Sequence, residues 1–264
     1  ENTYNALTGY RENIKKNPNI LGIHLEGPFI NSNKLGAQPN KAIDPDIEFI
    51  KKLLGVAEIK IVTLAPELNG IEPVLDFLQE NKIKIQFGHS LAKYDQCLQY
   101  MKKYEIGFTH LYNAMSGNDH RDPGVLTAAL NHGKFAEIIF DKHHVSNGSF
   151  LLAKKCIPNL YTVSDSIGVS GLKDGYYKFA GAEIEKKDGK VFQNKTNTLA
   201  GSIVTMYKTF QNLIEIKCPL KDVVSLTSHN AAKYLNESSI GEIYPGKIAN
   251  MIILDKTFKI KSIY

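Results

Sequence analysis

Four apolar, β-branched runs each end in an acid or a histidine: Ile20–Glu26, Ile83–His89, Ile106–His110 and Leu160–Asp165. Carboxylates and imidazoles are the donors a divalent cation such as zinc, iron or manganese takes, so Glu26, His89 and His110 are candidate metal ligands. Asp165, in TVSDS, is a candidate general base. A divalent ion lowers the pKa of water from about 15.7 toward roughly 7, and a nearby carboxylate can accept that proton and return it to a leaving group. Ordinary explanations compete. A single histidine is more often a surface or core residue, and an aspartate at a strand end can cap a helix or join a rim ion pair. Their recurrence at four run ends favours a shared site.

Such residues need elements that bring them together. A parallel barrel does this, because every strand delivers its C-terminal end to one face. Short Ile- and Val-rich runs predict strands near 20–25, 59–64, 83–88, 106–109, 136–140 and 160–164. Between them, amphipathic spacing predicts helices over Asp46–Leu54, Ile71–Asn81, Lys93–Tyr104, Gly124–His132 and Ser149–Cys156. Alternation of this kind implies a parallel sheet. Gly27-Pro28 after Glu26, and Gly88 and Ser90 around His89, are breakers that suit loops at a rim. Beyond residue 165 the pattern changes. Tyr176–Ile184 and Lys190–Gln193 alternate about Asp188-Gly189, a hairpin signal, which marks an insertion near 176–198. Helices are predicted over Ser202–Ile216 and Leu220–Leu235, parted by Pro219, and the tail Gly241–Asp255 carries a Pro-Gly turn into a further strand.

The 264 residues carry a formal charge of +5 without an Arg/Lys block, which argues against nucleic acid and suits an anionic small molecule. Cys97, Cys156 and Cys218 are odd in number and lack CxxC spacing, so a reducing cytoplasm is the simpler compartment. No apolar run approaches the roughly 20 residues of a membrane helix, and no charged-then-apolar leader opens the chain. A soluble, cytoplasmic protein without a membrane partner is expected.

The motifs HLEGPFIN (24–31), GHS (88–90), THLYNAMSG (109–117), RDPG (121–124), VSDS and LAGS (199–202) resemble those of the N-acetylglucosamine-6-phosphate deacetylases, metal-dependent TIM-barrel hydrolases of the amidohydrolase superfamily. The motifs occur in the family's order from about residue 20 to 255. The resemblance implies hydrolysis of the acetamide of N-acetylglucosamine 6-phosphate to glucosamine 6-phosphate and acetate. It places Glu26, His89 and His110 on the family's metal ligands and Asp165 on its catalytic aspartate. The cofactor it implies is zinc, iron, manganese or cobalt, as one ion or two. Ala37, Gln38, Asn113, Ala114, Arg121, His144, Leu199, Ala200 and Gly201 fall where the family grips its sugar phosphate. Arg121 suits a phosphate through its paired donors, although a loop charge pairing with Asp119 or Asp122 reads the same way. The partners implied are a small sugar phosphate and a second copy of the chain, as a homodimer or dimer of dimers that shares Arg and His across subunits.

The chain also departs from the pattern. Gln38 stands where many members have a carbonyl-polarising histidine; it can donate a hydrogen bond but carries no proton. Lys142 replaces a usual glycine, leaving His143 or His144 to face the site, with His144 favoured by alignment. No HxH motif is present, and six strands are readable where the barrel has eight. The expected fold is therefore α/β: a TIM (β/α)8-type barrel over 1–240 lacking about two N-terminal strands, with 241–264 forming part of a small β-sandwich. An unclosed barrel exposes strand edges, so the chain expressed alone is expected to be insoluble or inactive. Two alternatives remain: another amidohydrolase acting on a cyclic or acylated amide, and a non-catalytic sugar-phosphate binder.

Overall fold

The structure, a computed structural model, describes residues 2–17, 19–193 and 198–264. It divides into two compact units, one ending at Gly133 and the other beginning at Lys134.

The first unit opens with helix α1 (Asn2–Asn13) and is built on a sheet of β1 (Ile23–Glu26), β2 (Ile59–Leu64), β3 (Lys84–Phe87) and β4 (Ile106–Phe108). All three pairings are parallel and follow chain order. Helices α2 (Ile47–Leu54), α3 (Ile71–Glu80) and α4 (Tyr94–Met101) connect the strands, and α5 (Val125–His132) follows β4. Helix α2 starts where the Asp46 carboxylate accepts the Glu48 and Phe49 N–H groups at 2.8 and 3.2 Å. Ile50, Leu53, Ile71, Val74, Leu75 and Leu78 point inward from α2 and α3 and are buried. Each contributes about 1.5–3 kcal/mol of transfer free energy. β4 is buried along its whole length, which accounts for its unbroken apolar sequence. Where β3 ends, a Cβ on Gly88 would lie 2.8 Å from the Thr109 Cβ and 2.9 Å from the Thr63 Cγ2, so only glycine fits between these two neighbours.

In the second unit β5 (Phe135–Ile139) pairs in parallel with β6 (Asn159–Val163), joined by α6 (Asn147–Cys156). There follow β7 (Gly175–Phe179), β8 (Ala182–Lys187) and β9 (Lys190–Gln193), an antiparallel three-stranded meander. The strand expected over Tyr176–Ile184 is thus broken in two. Ala180 and Gly181 both take positive φ, 50° and 85°, as do Asp188 and Gly189 at 50° and 77°. Both are two-residue turns of the mirror-image type that matches strand twist. The far end of the expected insertion, residues 194–197, lies outside the described residues.

Helix α7 (Met206–Glu215) starts four residues later than expected, after the Thr205 hydroxyl accepts the Lys208 N–H at 3.1 Å. The expected 220–235 helix runs as α8 (Leu220–Val224), a π turn over Ser225–His229, and α9 (Asn230–Tyr234). β10 (Ile252–Leu254) and β11 (Ile260–Ile263) close the chain as an antiparallel pair. Ile252, Ile253, Ile260 and Ile263 on this pair are exposed.

Candidate functional site

In the first unit, β1 ends at Glu26, and His89 and His110 each stand two residues beyond the ends of β3 and β4. Phe87 and Phe108 are register partners, so the two histidines leave the sheet at the same level. Both take left-handed backbone, with φ of 50° and 30°. A residue other than glycine in this region costs on the order of 1–3 kcal/mol and persists where its surroundings fix it.

The three side chains meet. The Nε2 atoms of His89 and His110 each lie 2.9 Å from Glu26 Oε1 and 3.1 Å from one another. Both imidazoles are buried, while Glu26 keeps a quarter of its side-chain surface exposed. The second Glu26 oxygen accepts from Gln38 Nε2 at 2.7 Å. His89 Nδ1 lies 2.7 Å from the Lys34 carbonyl, which can only accept, so Nδ1 carries a hydrogen and a neutral ring would offer its Nε2 lone pair to a cation. Burial alone would raise the Glu26 pKa, but the hydrogen bonds and charge of His110 and His89 outweigh it and hold the carboxyl well below the usual range. Two ring nitrogens and a carboxylate oxygen within 4.8 Å of one another are a set a single divalent cation would satisfy, and the ligand types suit it.

The loops behind this cluster are tied by a residue that sequence reasoning missed. Glu67, beyond the end of β2, accepts from Asn31 Nδ2 at 2.9 Å, Ser90 Oγ at 2.7 Å and the Leu91 N–H at 2.6 Å. One carboxylate therefore joins the loops after β1, β2 and β3, beside His89. The Asn31 N–H donates to the His89 carbonyl at 2.9 Å, and the Ser90 N–H to the Ala114 carbonyl at 3.1 Å. Below them Thr63 bonds His24 Nε2 at 2.7 Å and Thr109 at 2.6 Å, and Thr109 donates to Gln86 Oε1 at 2.6 Å.

The expected substrate residues of this unit surround the cluster unevenly. Ala37 precedes Gln38 in the loop whose Gly36 Cα lies near the His89 ring; a Cβ there would stand 3.5 Å from Cε1. Asn113 folds back, its Nδ2 donating to the His110 and Leu111 carbonyls at 3.2 Å, and Ala114 has φ of 49°. Arg121 is exposed on a loop braced by Asp119, whose carboxylate accepts the Arg121 and Asp122 N–H groups at 2.8 and 3.0 Å. Those two bonds lower the Asp119 pKa. Asp122 is paired with Lys93 Nζ at 2.6 Å.

The second unit holds the remaining candidates. Asp165 follows β6 by two residues, half-buried, with φ of 45°, and its carbonyl accepts the Ser202 N–H at 3.0 Å. Leu199 bridges to Phe192, the buried Ala200 donates its N–H to the Val191 carbonyl at 2.9 Å, and Gly201 has φ of 70°. His144 Nδ1 lies 2.7 Å from Asp141 Oδ2, with both side chains under a tenth exposed. Burial would raise the Asp141 pKa, but its bonds to His144 and to the His143 and His144 N–H groups bring it down to about 2. Asp141 is the second residue missed; a carboxylate three positions before a histidine in DKHH is the signal that could have found it.

The family model described as the amidohydrolase family matches residues 2–264. N-acetylglucosamine-6-phosphate deacetylase of Bacillus subtilis (strain 168) is 38% identical over 243 residues, covering 89% of this chain and 61% of its own. A crystal structure of N-acetylglucosamine-6-phosphate deacetylase from Pasteurella multocida superposes with a TM-score of 0.88 at 30% identity, over 97% of this chain and 69% of that one. A mutant of the Mycobacterium smegmatis N-acetyl-D-glucosamine-6-phosphate deacetylase, solved in complex with N-acetyl-D-glucosamine-6-phosphate, gives 0.89 at 28% identity, over 99% and 71%. The chain spans about three fifths of the length of the curated relatives it matches. These likenesses give the fold class, α/β of the TIM-barrel type, and by sequence and fold together the chain belongs to the amidohydrolase family.

Proposed function

We propose that the protein carrying this chain hydrolyses the acetamide of N-acetylglucosamine 6-phosphate, giving glucosamine 6-phosphate and acetate. The observation that carries the reading is the convergence of Glu26 with the His89 and His110 Nε2 atoms. The named activity of the relatives supports it, as does the binding of this sugar phosphate by the Mycobacterium smegmatis protein.

Glu26, His89 and His110 would hold the divalent ion, which is zinc, iron, manganese or cobalt. Bound there, the ion supplies Lewis acidity for the carbonyl and acidifies water. Gln38 fixes the Glu26 carboxylate by occupying its second oxygen. Asp165 accepts the proton of the attacking water and returns it to the leaving amine, so the amide C–N bond breaks as the acid and the free amine form. Arg121 binds the phosphate with paired N–H donors. Asp141 holds the His144 Nδ1–H, leaving Nε2 to meet the substrate. Asn113, Ala114 and the Leu199–Gly201 segment, with Ala37, line the sugar.

The same reading takes residues 1–240 as the barrel and 241–264 as part of a small sandwich, in a cytoplasmic homodimer. Appearance of free amine from N-acetylglucosamine 6-phosphate, and none from the unphosphorylated sugar at equal concentration, is the expected result. Binding of the sugar phosphate without amine release would support a binder and defeat the reading.

A further inference from the structure

Lys186 is buried, at 7% exposure, on the inner face of β8. Ile184 and Val191 are its buried neighbours in the meander, so an apolar side chain suits the position. Its ammonium instead donates to the carbonyls of Val169 at 3.1 Å, Ser170 at 2.9 Å and Leu172. An ammonium has three N–H donors, and three carbonyls take them. Burying a charge against neutral acceptors is expensive, so the arrangement has to secure something.

What it secures is the loop that leaves β6 through Asp165. On one side that loop is tied to the 202–203 segment: Ser202 N–H to the Asp165 carbonyl, Ile167 N–H to the Ser202 carbonyl, and Ser170 Oγ to the Ile203 carbonyl, all at 3.0 Å. On the other side Lys186 gathers three carbonyls within four residues. Asp165 itself sits at a φ of 45°, a conformation that holds only when its surroundings over-determine it.

We propose that Lys186 is a positioning residue for Asp165: through its ammonium the inserted meander locks the backbone from which the Asp165 carboxylate is presented. The proposal rests on the proton-handling role given to Asp165 above. It gives the meander a use beyond its ties to the Leu199–Ala200 segment.

The test compares the wild-type protein with Lys186→Met and Lys186→Ala. Met keeps the stem and deletes the donors. Displacing a reacting group by about 1 Å costs about a hundredfold in rate, so kcat of Lys186→Met should fall about a hundredfold with KM for the sugar phosphate unchanged. Hydrogen exchange at the Ile167 and Ser202 amides should accelerate while the β5 and β6 amides keep their protection. Propylammonium should restore part of kcat to Lys186→Ala, and tetramethylammonium, which has no N–H, should not.

A wild-type kcat in Lys186→Met overturns the proposal whatever the exchange shows. So does acceleration of exchange across the whole second unit, which marks plain unfolding. Asp165→Asn separates the two claims. Full activity in that variant refutes the role of Asp165, whereas an inactive Asp165→Asn beside an unimpaired Lys186→Met refutes the positioning role alone.

Discussion

Glu26 carries two imidazoles on one oxygen and the Gln38 amide on the other. Asp165 is set apart from that cluster in role, and the account predicts that Asp165→Asn keeps its full metal content while turnover nearly disappears. Elemental analysis alongside a rate assay checks this; an active variant would remove Asp165 from the chemistry. Asp141 gives a pH test. Its native pKa of about 2 lies below the ordinary 3.8, so the unfolded state binds the proton more readily, and the stabilisation is complete above about pH 4 and lost as pH falls toward 2. A shift of this size corresponds to about 2 kcal/mol. Asp141→Asn should therefore be less stable than wild type by about that amount at pH 7, with the gap closing between about pH 4 and pH 2 in denaturant titrations. A gap independent of pH would show that the carboxylate contributes by shape and not by charge. The candidate ligands were legible because each ends an apolar run. Glu67 was not, since its partners lie 36 residues before it and 23 after, and no local pattern marks a tie made across three loops.

Loops decide the geometry at the next scale, because the strands only bring the ligands to one level. Glu67 joins three of these loops beside His89, and truncating it leaves Ser90 Oγ, the Leu91 N–H and Asn31 Nδ2 without their acceptor. Glu67→Ala should weaken divalent-metal binding about tenfold or more, as loss of outer-shell support does. Calorimetric titration with zinc would measure it, and unchanged affinity would show that the His89 loop holds its shape unaided. The strands themselves were readable: the run 59–64 is β2, and 83–88 encloses β3. The meander was misjudged at Ala180. Alanine is a poor turn former, yet it takes φ of 50° because Gly181 completes the two-residue turn at 85°. The apolar alternation ran through both residues and hid the break. The π turn at 225–229 is likewise invisible to helical periodicity, which continues on either side.

For the molecule as a whole, the order of motifs from HLEGPF to LAGS carries the family resemblance, and the match to residues 2–264 carries membership. The alternation of strand and helix was legible because strands buried on both faces are predominantly apolar, even where a buried Gln86 or Glu137 interrupts the run. How the four-stranded sheet and the β5–β6 pair relate was not, since periodicity assigns faces within an element and leaves the arrangement of separate sheets open. The proposed acetamide hydrolysis depends on a cation held by Glu26, His89 and His110. The most direct measurement is acetate release from N-acetylglucosamine 6-phosphate by the protein carrying this chain, before chelation, after exhaustive chelation, and after return of a stoichiometric divalent ion. Release should stop on chelation, return with the ion, and fail to return in His110→Ala. Undiminished release from chelated protein, or full restoration in His110→Ala, would contradict it.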